Sequence, residues 1–256
     1  MRSRLVAIAC AALVMALAAG CGGGEQGTLV PAQTSVGGIW QGSDSGTGLQ
    51  VTGIADEKGD FHFIRSDFSQ FVGVLSSTND SVSGTFDGFA QLGTTFTDTS
   101  THGKGSATGV LAPRSKLTLN YTFTTDLGTV SSGTLTLSFN ALYNVSSSLA
   151  TISGNYTNPS GGATVSISGS GAITSQDATT GCVVNGQVSL IDTNYNAYKV
   201  VYTYASCMGD AAVLNGVQFS GQATFNNGSV PMQFIVAVTG TSGTNTLALV
   251  LTLNRQ

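Results

Sequence analysis

The chain has 256 residues, 41% hydrophobic and only 9% charged, with a formal net charge of −4. Nine Lys and Arg stand against 13 Asp and Glu, and the basic residues nowhere cluster. This argues against a nucleic-acid partner, because binding phosphates needs grouped cations. Polarity comes instead from Ser, Thr, Asn and 34 Gly, a composition common in exported β proteins.

The first 20 residues read as an export signal. Arg2 and Arg4 give a positive start, Leu5 to Ala19 are apolar, and small residues precede Cys21. The apolar run is shorter than the ~20 residues a spanning helix needs. Gly22, Gly23 and Gly24 follow it, where a stop-transfer segment would carry basic residues.

Leu17-Ala18-Ala19-Gly20-Cys21 resembles the lipobox of bacterial lipoproteins, although the family's preferred Leu lies one place further back, at Leu17. The resemblance implies cleavage before Cys21 and acylation of that cysteine with chains such as palmitate. It also implies attachment to a membrane, and each buried methylene adds ~0.8 kcal/mol to that attachment. Gly22 stands where an inner-membrane retention signal would place Asp, so the implied address is the outer membrane of a Gram-negative cell, at its surface or on its periplasmic face. Cys10 is a poorer lipidation site, having too little apolar sequence before it. Removing residues 1–20 leaves seven basic residues against 13 acidic ones.

Residues 21–35 read as a lipidated tether, rich in Gly and without periodicity. As a flexible coil it would span roughly 20 Å. From Val36 onward the pattern is period-two alternation broken by Gly, Asn, Asp and Ser, which predicts antiparallel strands. Leu117, Leu119, Tyr121 and Phe123 form one such face; Leu135, Leu137 and Phe139, then Val217, Phe219, Ala223 and Phe225, then Met232, Phe234, Val236 and Val238 form others. Phe68, Phe71, Val72 and Leu75 read equally well as a short helix capped by Ser66 or as a bulged strand. Leu247 to Leu253 is apolar on both faces, as in a central strand or one covered by a neighbour.

A weak repeat crosses the chain. Gly38-Ile39-Trp40 matches Gly154-Asn155-Tyr156, and Leu49, Val51 and Gly53 match Val165, Ile167 and Gly169 at the same offset. Alternating leucines behind Gly133 and Gly243 close the two halves. The expectation is an all-β protein of two antiparallel units, 36–145 and 146–256, each of six to eight strands, forming small barrels or sandwiches. Closure would remove exposed edges. Gly38-x-Trp40 with the strand after it resembles the opening strand of lipocalins and avidins, and of surface-lipoprotein barrels; the resemblance implies a tryptophan plugging one end. Avidin-type biotin binding needs further tryptophans, and the chain has one.

With Cys21 acylated, Cys182 and Cys207 remain as an even pair in an oxidising compartment. A hairpin folded between Asn194 and Tyr195 would set them opposite each other in a structural disulfide. Closing that loop is worth ~3–4 kcal/mol.

No residue pattern demands a particular chemistry. His62 alternates with Phe61 and Phe63 and is expected on the solvent face; His102 is expected in a surface loop. Asp44-Ser45-Gly46 and Asp56 to Asp60 read as turns. Tyr195, Tyr198, Tyr202 and Tyr204 are the richest aromatic group, and the last three share one face. No catalytic, cofactor or metal site is identified, and the ligand-binding residues are unknown. The leading expectation is a non-catalytic domain in the cell envelope that binds a small molecule or a protein partner. A periplasmic accessory lipoprotein supporting an outer-membrane assembly stands second, and a hydrolase with an unfamiliar site third.

Overall fold

The structure is a computed structural model that describes residues 34–159, 162–243 and 245–256. The export signal, Cys21 and most of the tether lie outside the described residues. Ala32–Gln256 forms one compact unit.

Within it are two closed antiparallel barrels of eight strands each. The first runs β1 (Gly38–Asp44), β2 (Gln50–Ala55), β3 (Asp60–Arg65), β4 (Gln70–Thr78), β5 (Ser81–Phe89), β6 (His102–Ala112), β7 (Lys116–Thr125) and β8 (Val130–Asn140). The second runs β9 (Gly154–Thr157), β10 (Thr164–Ile167), β11 (Ala172–Gln176), β12 (Val183–Leu190), β13 (Tyr198–Ala205), β14 (Gln218–Asn226), β15 (Gln233–Ser242) and β16 (Asn245–Arg255). Each strand pairs with the next, and β8 returns to β1 as β16 returns to β9. Between the barrels lie a 3₁₀ turn, Ala141–Asn144, and one helical turn, α1 (Leu149–Ile152), capped by the Ser148 hydroxyl accepting from Thr151 N–H.

The repeat is structural at its opening. Trp40 and Tyr156 are both fully buried at one end of their barrels, and each donates to a carbonyl four residues upstream. Trp40 Nε1 reaches Val36 O at 3.0 Å; Tyr156 Oη reaches Ile152 O at 2.6 Å. These rings plug the ends from which the chain enters. Other matched positions diverge. Gly53 lies in β2, where a Cβ would meet His62 O at 2.2 Å, so only glycine lets β2 and β3 approach so closely. Gly169 lies in the turn after β10 with open space around it.

Residues 68–75 contain no helix. Phe68 takes a left-handed conformation (φ 62°) in the turn after β3, and β4 follows. Asp67 Oδ1 accepts from Ser69 N–H there. The intramolecular contact that closes the turn therefore outweighs the short helical spacing.

The barrels pack on each other through Ile39, Ile54, Tyr143 and Ala197. Arg114, from the turn after β6, lies over the stacked rings of Tyr143 and Tyr195, 4.8 and 4.7 Å from their centroids. It donates to Glu57 at 2.7 Å and to Gly37 O at 2.7 Å. Asn196 bridges the two units, donating to Phe225 O and Leu142 O. At the far end, Leu92 from the β5–β6 loop donates to Ala248 O and packs on the second core, which explains why β16 is apolar on both faces.

This packing corrects the reading of His62. It points away from the Phe61–Phe63 face, as alternation requires, yet it is 3% exposed because β14 of the second barrel covers it. Burial pushes its pKa down to about 4, opposed by the hydrogen bond to Gln70. In the unfolded chain it titrates near 6.5. Between these values the unfolded chain binds more protons, so this contribution is complete above pH 6.5 and is lost as pH falls toward 4. Urea titrations should show wild type losing about 3 kcal/mol more than His62→Gln between pH 7 and pH 4. Equal losses would overturn the assignment.

Candidate functional site

The two interiors differ. Nine of the 12 phenylalanines precede residue 140, and seven of them pack in the core of the first barrel. Phe71 and Phe96 meet Phe123 edge-on, while Phe86 stacks beside it. Only about 30 Å³ of cavity remains. Its upper end is closed by buried Asp44, which accepts from Tyr121 Oη at 2.9 Å and Thr47 Oγ1 at 2.9 Å, with Arg65 at 3.6 Å. Asp44-Ser45-Gly46 is thus the expected turn, with Gly46 N–H bonded to Asp44 Oδ1.

The second barrel holds a cavity of about 280 Å³ that opens to solvent. Strand lengths account for it. β9 and β10 have four residues each and β11 five, whereas β13 to β16 have eight to eleven. β16 pairs with β15 at ten positions but with β9 at two. One side of the wall is therefore low, and the space above it forms a cup. Val165, Val184, Val200, Tyr202, Phe234 and Leu251 are among its walls, and Tyr156, Ile152 and Leu149 of α1 belong to the same apolar cluster.

The β13–β14 connection forms part of the rim. In the first barrel the equivalent β5–β6 loop tucks Phe96 against Phe123. In the second, the connection is tied to the β11–β12 turn by the Cys182–Cys207 disulfide and by Met208 N–H donating to Thr180 O. The ladder places Val183 opposite Ala205, which would set Cys182 against Ser206. Ser206 takes a left-handed conformation (φ 59°), and the chain bends so that Cys207 meets Cys182 instead, with Cα atoms 4.0 Å apart. The pairing register taken from the sequence is thus one residue away from the observed ladder, and the bend restores the Cys182–Cys207 pairing. Asn215 holds Cys207 from both sides, accepting from its N–H at 2.7 Å and donating to its O at 2.9 Å. Beside this rim Met208 is 62% exposed and Val213 47%.

The cup's electrostatics are simple. Asp177, at the rim, is its one charged lining residue among the described residues; no Lys, Arg or His contributes. Hydrogen bonds from Thr179 and Thr180 hold the Asp177 carboxyl below the usual range, so it stays ionised. Tyr198, Tyr202 and Tyr204 share the inward face, as their spacing suggested. Burial raises the pKa of Tyr202 well above its ordinary value, so its hydroxyl stays protonated. That hydroxyl is buried, and the neighbouring Tyr204 hydroxyl adds to the rise through its charge and a side-chain hydrogen bond. The sequence reading did not single out this cup. Its signal was the uneven distribution of phenylalanine between the two halves.

His102 begins β6 and does not lie in a loop. Its Nε2 is 2.9 Å from Asp87 and its Nδ1 3.0 Å from Asp126, so two carboxylates pin the ring through both nitrogens. Lys104 joins Asp87 at 3.0 Å. The arrangement ties β5, β6 and the β7–β8 turn together and offers neither nitrogen to a substrate. Among the described residues, no three His, Cys, Asp or Glu side chains converge as metal ligands would. Asp56 to Asp60 forms the expected turn, with Asp56 Oδ1 accepting from Lys58 and Asp60 N–H.

Comparisons of the chain with protein-family profiles, with curated proteins and with solved structures find no match.

Proposed function

We propose that the chain is a lipoprotein anchored in the outer membrane through acylated Cys21, and that its β domain binds a small-molecule ligand without catalysing a reaction. The second barrel is the receiving site. One observation carries this reading: two barrels of like topology lie side by side, one packed with phenylalanine and the other left as an open cup of about 280 Å³. Ligand sites are concave, mostly apolar and largely preformed, and this volume lies near the lower end of their range. The filled barrel serves as a support, holding the second through Arg114, Asn196 and Leu92.

The anchor and the site are tested separately. Incorporation of labelled palmitate by intact cells should require Cys21 and vanish in Cys21→Ala. For the site, a soluble chain starting at Ala32 retains both barrels and their cores. Titrated with the neutral fluorophore N-phenyl-1-naphthylamine, it should show saturable binding near one equivalent. Val184→Trp, which places an indole in the cup, should weaken that binding by about tenfold or more, equivalent to ~1.4 kcal/mol. Undiminished binding in that variant would remove the cup as the site.

A further inference from the structure

Polar and apolar residues of the cup's lining are separated along its depth. We infer that the cup takes the tail of a single-chain amphiphile: one alkyl chain of about ten carbons lies along the barrel with its free end innermost, and the polar head stays in water at the mouth. This inference rests on the cup being the ligand site.

Three observations converge on it. The first is the order of the lining. Asn158 follows β9, Ser175 lies near the end of β11, and Asp177 and Thr180 lie in the turn after it, all toward the rim. Ile173, Val200, Phe234 and Leu253 lie toward the opposite ends of their strands. The second is what the depth withholds. Among the described residues no Lys, Arg or His lines the cup, and the Tyr202 hydroxyl is engaged with that of Tyr204. A head group drawn inward would leave water without compensation, whereas a chain gains from every methylene it buries. The third is size. The volume of about 280 Å³ is nearly twice the ~150 Å³ of an apolar protein cavity that admits benzene, which corresponds to about ten to twelve carbons. Depth agrees with volume: on β13 the inward lining runs from Val200 to Tyr204, about 13 Å at ~3.3 Å per residue. An eight-stranded barrel is narrow across, so a space of this length suits a chain better than a fused ring system.

A homologous series tests the assignment on the soluble chain from Ala32: n-alkyl maltosides from hexyl to tetradecyl, each below its micelle-forming concentration and competing against N-phenyl-1-naphthylamine. The disaccharide is too large for the cup and holds the head at the mouth. Affinity should rise about fourfold per added methylene, equivalent to ~0.8 kcal/mol, and level off near the decyl compound as further methylenes stay in water. Val200→Phe fills the deep end. It should bind hexyl maltoside as wild type does, which also reports an intact cup, and decyl maltoside about tenfold more weakly, equivalent to ~1.4 kcal/mol. Val200→Leu, a smaller change, should shift the levelling point the same way and serves where the phenylalanine variant does not fold. Affinity that climbs through tetradecyl without levelling, affinity indifferent to chain length, or equal weakening of the hexyl and decyl compounds by these variants overturns the inference and leaves the cup as a binding site. So does a fluorophore that binds but yields to no maltoside. Failure of the fluorophore as well overturns the binding reading and this inference with it.

Discussion

Trp40→Ala should lower the unfolding free energy by about 4 kcal/mol, as expected for truncating a large buried aromatic. Trp40 is 0% exposed, lies edge-on to Phe139 at 5.7 Å and pairs across the sheet with Gly53 and Phe139. It therefore sits where β1 meets both β2 and the closing strand β8, and its loss opens a cavity at the barrel's seam. Trp40→Phe separates packing from hydrogen bonding: it keeps a ring but leaves Val36 O without its donor, at a cost of about 1 kcal/mol from the bond plus the unfilled volume. Tyr156→Phe is the matching change in the second barrel and should cost about 1 kcal/mol, because it removes only the hydroxyl that reaches Ile152 O. Urea denaturation of the four proteins checks these values. A loss below about 2 kcal/mol for Trp40→Ala would place the plug outside the cooperative core.

Replacing both cysteines, as Cys182→Ser with Cys207→Ser, should cost about 3 to 4 kcal/mol under oxidising conditions, the value for closing a loop of this length. The two residues are separated by 25 positions, and β12 and β13 form a hairpin between them. The bridge joins the β11–β12 turn to the β13–β14 connection, two segments with few other ties. Wild type treated with reductant should fall to the stability of the double variant, and reductant should leave the variant unchanged. Because Cys182 and Leu214 line the cup, the same change should also loosen its mouth. Faster limited proteolysis between Ser206 and Val217 would report this. A double variant as stable as oxidised wild type would show that the Asn215 latch and the Met208–Thr180 bond suffice without the bridge.

Strand positions and inward faces were legible because alternation is a local property. Leu117, Leu119 and Phe123, and likewise Phe219, Ala223 and Phe225, lie inside as their spacing predicts. The Trp40–Tyr156 match was legible too, since the same structural position in two barrels asks for a large ring with a donor. Residues 68–75 were ambiguous because four apolar positions fit either period, and the left-handed turn at Phe68 decided between them.

The sequence by itself determined the all-β class, the two units, the inward face of most strands and the pairing of Cys182 with Cys207. It is also the whole basis for proposing a lipid anchor at Cys21. Tertiary structure decided closure into two barrels, which depends on the first and last strands of each unit meeting across about a hundred residues. It decided that His62 is buried, because period two assigns a side chain to the outer face but cannot say that β14 of another barrel covers that face. It decided as well that one interior is full and the other open, since that depends on the summed volume of side chains brought together from eight strands and on the short β9, β10 and β11.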